Sequence, residues 1–310
     1  MASKLSCLVM KPLTWACVCL FLVVFPVYGQ SDINLNGAFD FHVHSGPDSI
    51  PRSIDADALA KLAKEKGMRG LVLKNHWEST AALAYMVHKQ VPGIEIFGGI
   101  ALNLSVGGVN LDAVKRMTMM EGGLGRVVWL PTHDAESAMK FAHDTGPSVS
   151  VSKDGHLLPE VLALIDFISQ HHELVLETGH ISAAEGLMVV HEAHLRGVKH
   201  IVVTHPLNLV VGMTVPQIQQ AASEGAYIEF TYGSLLPPKP QCSAAQYADV
   251  IHKIGAKSSI LDSDSGFPER PLHPQAMLAF MEEMHKAGVS VDDINIMTKV
   301  NPALILELKP

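Results

Sequence analysis

From Phe39 onward the chain alternates between two hydrophobic patterns. Short runs rich in Val, Ile and Leu occupy 39–44, 70–75, 95–101, 126–131, 173–178, 200–204, 226–231 and 258–262, and each ends in polar residues. Such short and nearly continuous apolar runs suit strands buried on both faces. Between them, apolar residues recur at helical spacing, as with Leu59, Leu62 and Ala63 in 55–66. Ser182-Ala183-Ala184-Glu185, Thr214-Val215-Pro216-Gln217 and Ser243-Ala244-Ala245-Gln246 read as capping boxes that start helices. Gly67, Gly197, Gly225 and Gly255 each stand between a helix and the next strand, where a left-handed residue ends a helix at little steric cost. Met117, Met119 and Met120 read as packing residues of one helix, and Asp292 to Leu308 as a terminal helical segment.

Strand, helix, glycine, strand, repeated around eight strands, predicts an α/β protein whose parallel sheet closes into a (β/α)8 TIM barrel. An open doubly wound sheet is the competing topology. No Gly-x-Gly-x-x-Gly follows any of the strands, so its dinucleotide-binding version has no support.

The first residues follow a different pattern. Lys4 and Lys11 precede an apolar stretch from Leu13 to Phe25, with Val27 and Gly29 at the −3 and −1 positions before Gln30. This is the form of a secretory signal peptide over 1–29, and it predicts a secreted or periplasmic protein. The apolar core is shorter than the ~20 residues of a full span, so no stable membrane insertion is expected after cleavage. Of the 310 residues, 30–310 then form one barrel domain, with no linker or low-complexity segment. Cys7, Cys17 and Cys19 fall in the signal, which leaves Cys242 and no internal disulfide. The net charge of −8 and the lack of a basic patch give no footing for nucleic acid.

In a barrel the C-terminal ends of the strands face the active site. The first run ends in His42 and His44, the second in Lys74-Asn75-His76, and the third leads into Asn103. The fourth leads into Thr132-His133, the fifth ends Glu177-Thr178-Gly179-His180, the sixth Thr204-His205, and the eighth Asp262-Ser263-Asp264. Residues i and i+2 of a strand share a face, so His42 and His44 can hold one ion between them. Imidazole and carboxylate gathered at one edge suit divalent metals. His88, His143, His156, His171, His172, His191, His194, His200, His252 and His285 fall in helices, loops or strand starts and read as ordinary surface or core histidines.

This arrangement resembles the amidohydrolase superfamily of metal-dependent TIM-barrel hydrolases. Its pattern of His-x-His after strand 1, His after strands 5 and 6 and Asp after strand 8 is matched by His42, His44, His180, His205 and Asp264. The stretch 67–76, Thr178-Gly179-His180 and Ser263-Asp264 look like an uncharacterised branch of that superfamily. The resemblance implies one or two divalent ions, zinc foremost, with manganese, iron or nickel as alternatives. Binuclear members usually carry a bridging carboxylated lysine after strand 4. Here that place reads Val128-Trp129-Leu130-Pro131-Thr132, and Lys74 after strand 2 is the lysine placed to bridge or to bind substrate. Glu177 is expected behind the ligands. His76 and His133 are expected to line the pocket, with His76 touching substrate.

The resemblance also implies a reaction: a metal-activated water cleaving an amide, lactone or ester bond of a small molecule, with Asp264 as the catalytic proton carrier in preference to Asp262. Deamination and decarboxylation use the same constellation. A polymerase-and-histidinol-phosphatase-type phosphoesterase also opens with His-x-His, but it closes with Asp-x-His. A non-catalytic exported barrel that binds metal or a ligand is the remaining alternative. Homo-oligomer formation is compatible with all of these.

Overall fold

The computed structural model describes Met1 and residues 33–309. The expected signal segment 1–29 lies outside the described residues apart from Met1. Eight parallel strands follow the chain around the barrel: β1 Phe39–Val43, β2 Gly70–Leu73, β3 Glu95–Ala101, β4 Gly125–Trp129, β5 Val175–Glu177, β6 His200–Val203, β7 Tyr227–Thr231 and β8 Ser259–Asp262. Each pairs in parallel with its predecessor, and helices return the chain from one strand to the next. Among the described residues no helix is long and apolar enough to cross a membrane.

The seam between β8 and β1 closes differently. Just beyond the strands, His44 N donates to Ser265 O at 3.1 Å and Asp264 N donates to His42 O at 3.1 Å. Lower down, carboxylates stand in for ladder carbonyls: Phe41 N donates to Asp262 Oδ1 at 2.6 Å and Ser263 N to Asp40 Oδ1 at 3.0 Å. The register of β1 against β2 shifts between Asp40 and Val43. An extra residue in a strand breaks its strict alternation. That explains how Phe41 joins the inner core while adjacent His42 bonds to a residue of the barrel interior.

Inward positions change character from bottom to top. Phe39, Val72, Val127, Val175, Val202 and Ile260 make an apolar floor, sealed from below by Ala303, Ile305 and Leu306 of the terminal helical segment. One inward step higher stand Lys74, Glu177, Thr204 and Asp262, all fully buried. The apolar floor fixes the strands by burial, and the polar layer above it is free to serve chemistry.

The capping boxes form as their sequences require. Ser182 N donates to Glu185 Oε2 at 3.0 Å while Glu185 N donates to Ser182 Oγ at 3.3 Å, and Ser243 and Gln246 exchange the same pair of bonds. The expectation for the methionines needs correction. Met117 is buried, but the helix ends at Thr118, so Met119 and Met120 lie in the following turn and are 72% and 39% exposed.

Candidate metal centre

Three ligand atoms converge above the polar layer. His42 Nε2 lies 3.4 Å from Asp264 Oδ1, and His44 Nε2 lies 3.3 Å from the same oxygen. The ligand-capable atoms of these three residues all lie within 4.8 Å of one another. Each imidazole is held by its other nitrogen: His42 Nδ1 meets Glu229 Oε1 at 3.0 Å, and His44 Nδ1 meets the Lys74 carbonyl at 2.7 Å. Both partners are acceptors, so Nδ1 carries the proton and Nε2 presents its lone pair to the centre. Asp264 reaches this place from a left-handed backbone, with φ +48°. That conformation is uncommon outside glycine and is held here by its hydrogen bond to β1. Asp262, two residues earlier, is tied to Phe41 N and belongs to the seam.

The other histidines extend the centre into an arc. The rings of His42 and His205 lie 5.9 Å apart, those of His205 and His180 4.9 Å, those of His180 and His133 5.8 Å, and those of His133 and His76 4.3 Å. His76 then returns to His44 at 4.8 Å. Six imidazoles thus ring the mouth, but only His42 and His44 share the tight cluster with Asp264 among the described residues. His180 and His205 sit in the adjoining arc, next to each other and beside His42. His205 also has a left-handed backbone, with φ +24°.

Beneath the arc, Lys74 Nζ lies 3.0 Å from His42 Nε2. This is the same lone pair a metal would use. Lys74 is fully buried, and burial lowers its pKa against the pull of Glu177, Glu229, Asp264 and Asp262. Burial also raises the buried carboxyls of the barrel: Glu177 well above its ordinary value, Glu229 in the same direction, and Asp40, at the seam, to about 7. Opposing it at Asp40 are donated hydrogen bonds from the Ser263 hydroxyl and amide. The histidines move the other way, because burial disfavours the imidazolium: His42 falls to about 3, His205 to about 4, and His44, His76 and His180 well below the ordinary imidazole value. Neutral imidazoles are the form that ligates metal.

Glu229 is the candidate site residue that the sequence pattern did not single out. It lies in the middle of β7 and is fully buried. Its two oxygens serve two histidines, Oε1 at His42 Nδ1 and Oε2 accepting from His205 N at 3.1 Å. The available signal was a charged residue inside an otherwise apolar strand, Tyr227-Ile228-Glu229-Phe230-Thr231. Glu177 is fully buried and accepts a 3.0 Å hydrogen bond from Thr204 Oγ1.

Fold and mouth together define the architecture: a (β/α)8 barrel whose strand ends carry a histidine-rich centre. Residues 37–229 match the model of a family of unknown function, DUF6282, and the chain belongs to that family. Its fold is shared with an organophosphorus hydrolase from Deinococcus radiodurans, at TM-score 0.60 and 14% identity over 88% of this chain and 93% of that one. A second similar structure is a putative 2-pyrone-4,6-dicarboxylic acid hydrolase from Pseudomonas putida, at TM-score 0.55 and 16% identity over 89% and 99% of the two chains. A third, an apo structure from Agrobacterium tumefaciens, has TM-score 0.56 and 13% identity over 89% and 98%. No curated protein matches the sequence.

Proposed function

We propose that the protein is a metal-dependent hydrolase of small-molecule esters or lactones. The observation that carries this reading is the convergence of His42 Nε2, His44 Nε2 and Asp264 Oδ1, with both imidazoles pinned through Nδ1. These are nitrogen and oxygen donors of the kind that hold zinc, manganese, iron or nickel. In this reading His180 and His205 supply the second half of the centre. The similar structures described as an organophosphorus hydrolase, a lactonase template and a pyrone hydrolase favour an ester or lactone over an amide.

A bound divalent ion makes a water acidic near neutral pH and polarises a carbonyl. The chain's own groups then do the rest. Asp264 accepts the proton of the attacking water and delivers it to the leaving oxygen. Glu229 keeps His42 and the His205 backbone in register. Lys74 has to leave His42 Nε2 for that nitrogen to ligate, either by swinging towards a substrate anion or by carboxylation, in which the deprotonated amine would add to carbon dioxide, release a proton and present carbamate oxygens in place of the ammonium.

Metal content and turnover test this together. Purified wild-type protein is expected to hold one or two divalent ions per chain, with His180→Ala losing one of two. Asp264→Asn is expected to lower hydrolysis of a lactone and aryl-ester panel by roughly 10²–10⁴-fold. Lys74→Ala separates the two lysine roles: lost metal means bridging, and retained metal with a raised KM means substrate contact. Absence of metal after reconstitution with zinc or manganese would overturn the reading.

A further inference from the structure

The hydrogen bonds around His76 fix which of its nitrogens carries the proton. Asn103 is fully buried, and its Oδ1 accepts from Thr132 N at 2.9 Å and Asp134 N at 3.2 Å. Backbone amides cannot accept, so the orientation of the Asn103 amide is settled. Its Nδ2 therefore donates, to His76 O at 2.7 Å and to Thr132 Oγ1 at 2.7 Å. Thr132 Oγ1 thus already receives a proton, and its own hydroxyl hydrogen needs an acceptor. Thr132 is fully buried, where an unmade hydroxyl bond is costly. Among the described residues the one acceptor within reach is His76 Nδ1, at 2.9 Å. Nδ1 accepts, so the proton of the neutral ring lies on Nε2.

That Nε2 makes no hydrogen bond among the described residues, and its ring stands in the arc between His44 at 4.8 Å and His133 at 4.3 Å. The tautomer is the reverse of that in His42 and His44, whose Nδ1 atoms face acceptors and whose Nε2 lone pairs face the centre. Two kinds of histidine therefore line one mouth: ligands with a lone pair outward, and one donor with an N–H outward. A metal ligand at His76 would need that proton removed and the chain of bonds to Asn103 reversed.

We infer that His76 is a catalytic hydrogen-bond donor, its Nε2–H placed to stabilise the negative charge that develops on the carbonyl oxygen of the substrate, with Thr132 and Asn103 as the residues that fix its tautomer. The inference rests on the hydrolase reading for its chemistry and on the hydrogen-bond chain alone for the tautomer. A preorganised neutral donor of this kind acts without reorienting during the reaction.

The two parts are tested separately. Two-bond ¹H–¹⁵N correlation spectra of histidine-labelled, zinc-reconstituted protein read the tautomer directly, whatever the protein hydrolyses. The expected result is Nε2–H for His76 in wild type and in Thr132→Ser, and loss of that single tautomer in Thr132→Val. An Nδ1–H or doubly protonated His76 overturns the assignment. Should the metal and ester assays fail, this spectrum still decides the tautomer. Where hydrolysis is found, His76→Phe is expected to lower kcat roughly 10²–10³-fold with KM and metal content unchanged. Thr132→Val should lower kcat in the same direction and Thr132→Ser restore it. An unchanged kcat, or loss of metal in His76→Phe, overturns the catalytic role.

Discussion

Glu229 shows how one residue can govern two others. Its carboxylate accepts at both oxygens, from the His42 ring and from the His205 amide. Glu229→Gln keeps the size but offers one acceptor and one donor, so one of the two N–H groups must face an NH2. The expected outcome is a 10–100-fold weaker metal affinity, the usual cost of losing such an orienting partner. Competition against a chromophoric chelator measures it, with the thermal midpoint of the metal-free protein as the folding control. An affinity equal to wild type would mean that this pairing does not orient His42. The His42, His44, His180, His205 and Asp264 positions were legible because they end predicted strands. Glu229 was not, because a lone carboxylate inside a strand declares nothing about which side chain it will meet.

At the level of elements, the strands and caps were readable and the local departures were not. Periodicity located every barrel strand, since burial on both faces leaves an uninterrupted apolar signature. It could not show the irregularity in β1 that puts Phe41 and His42 on the same side. Nor could it show that Asp40 and Asp262 bond to main-chain amides across the seam. The turn after β5 is a further case, where backbone shape positions a candidate ligand. Gly179 has φ +61°, and a Cβ there would lie 2.7 Å from Pro131 O and closer still to Leu130 O. These are backbone atoms of the neighbouring β4 loop, and His180 N donates to that same Pro131 O at 2.9 Å. Gly179→Ala is therefore expected to cost about 1–3 kcal/mol, the range for a strained left-handed residue. It should also reduce the metal held through His180. Denaturant melts and metal analysis of the one variant read both effects, and an alanine protein as stable as wild type would show that the β4 and β5 loops can part without cost.

On the scale of the whole molecule, the buried titratable groups set how stability depends on pH. His273, fully buried and outside the histidine arc, is lowered by burial from 6.5 to about 4, and His42 and His205 fall to about 3 and about 4. A histidine depressed in the folded state contributes stability that is complete above 6.5 and lost as pH falls towards the folded value, because the unfolded chain binds the proton first. Asp40, raised by burial from 3.8 to about 7, works in the opposite sense, and its contribution is lost as pH rises across the same window. A tenfold change in proton affinity is worth about 1.4 kcal/mol, so one such histidine amounts to at most about 3–5 kcal/mol. The depressed histidines outnumber the raised carboxyls Asp40, Glu177, Glu229 and Asp262, with His44, His76 and His180 adding to the first group. The metal-free protein is therefore expected to lose stability between pH 6.5 and 4, and His273→Leu should flatten that slope by removing one of its contributors. Metal steepens the same limb, since protons and ions compete for the imidazoles and an ion bound only to the folded state adds stability. Urea midpoints of chelated and zinc-loaded protein should then lie well apart at pH 7 and converge near pH 5. Midpoints that stay equally separated at both pH values would place the bound ion on groups other than these histidines.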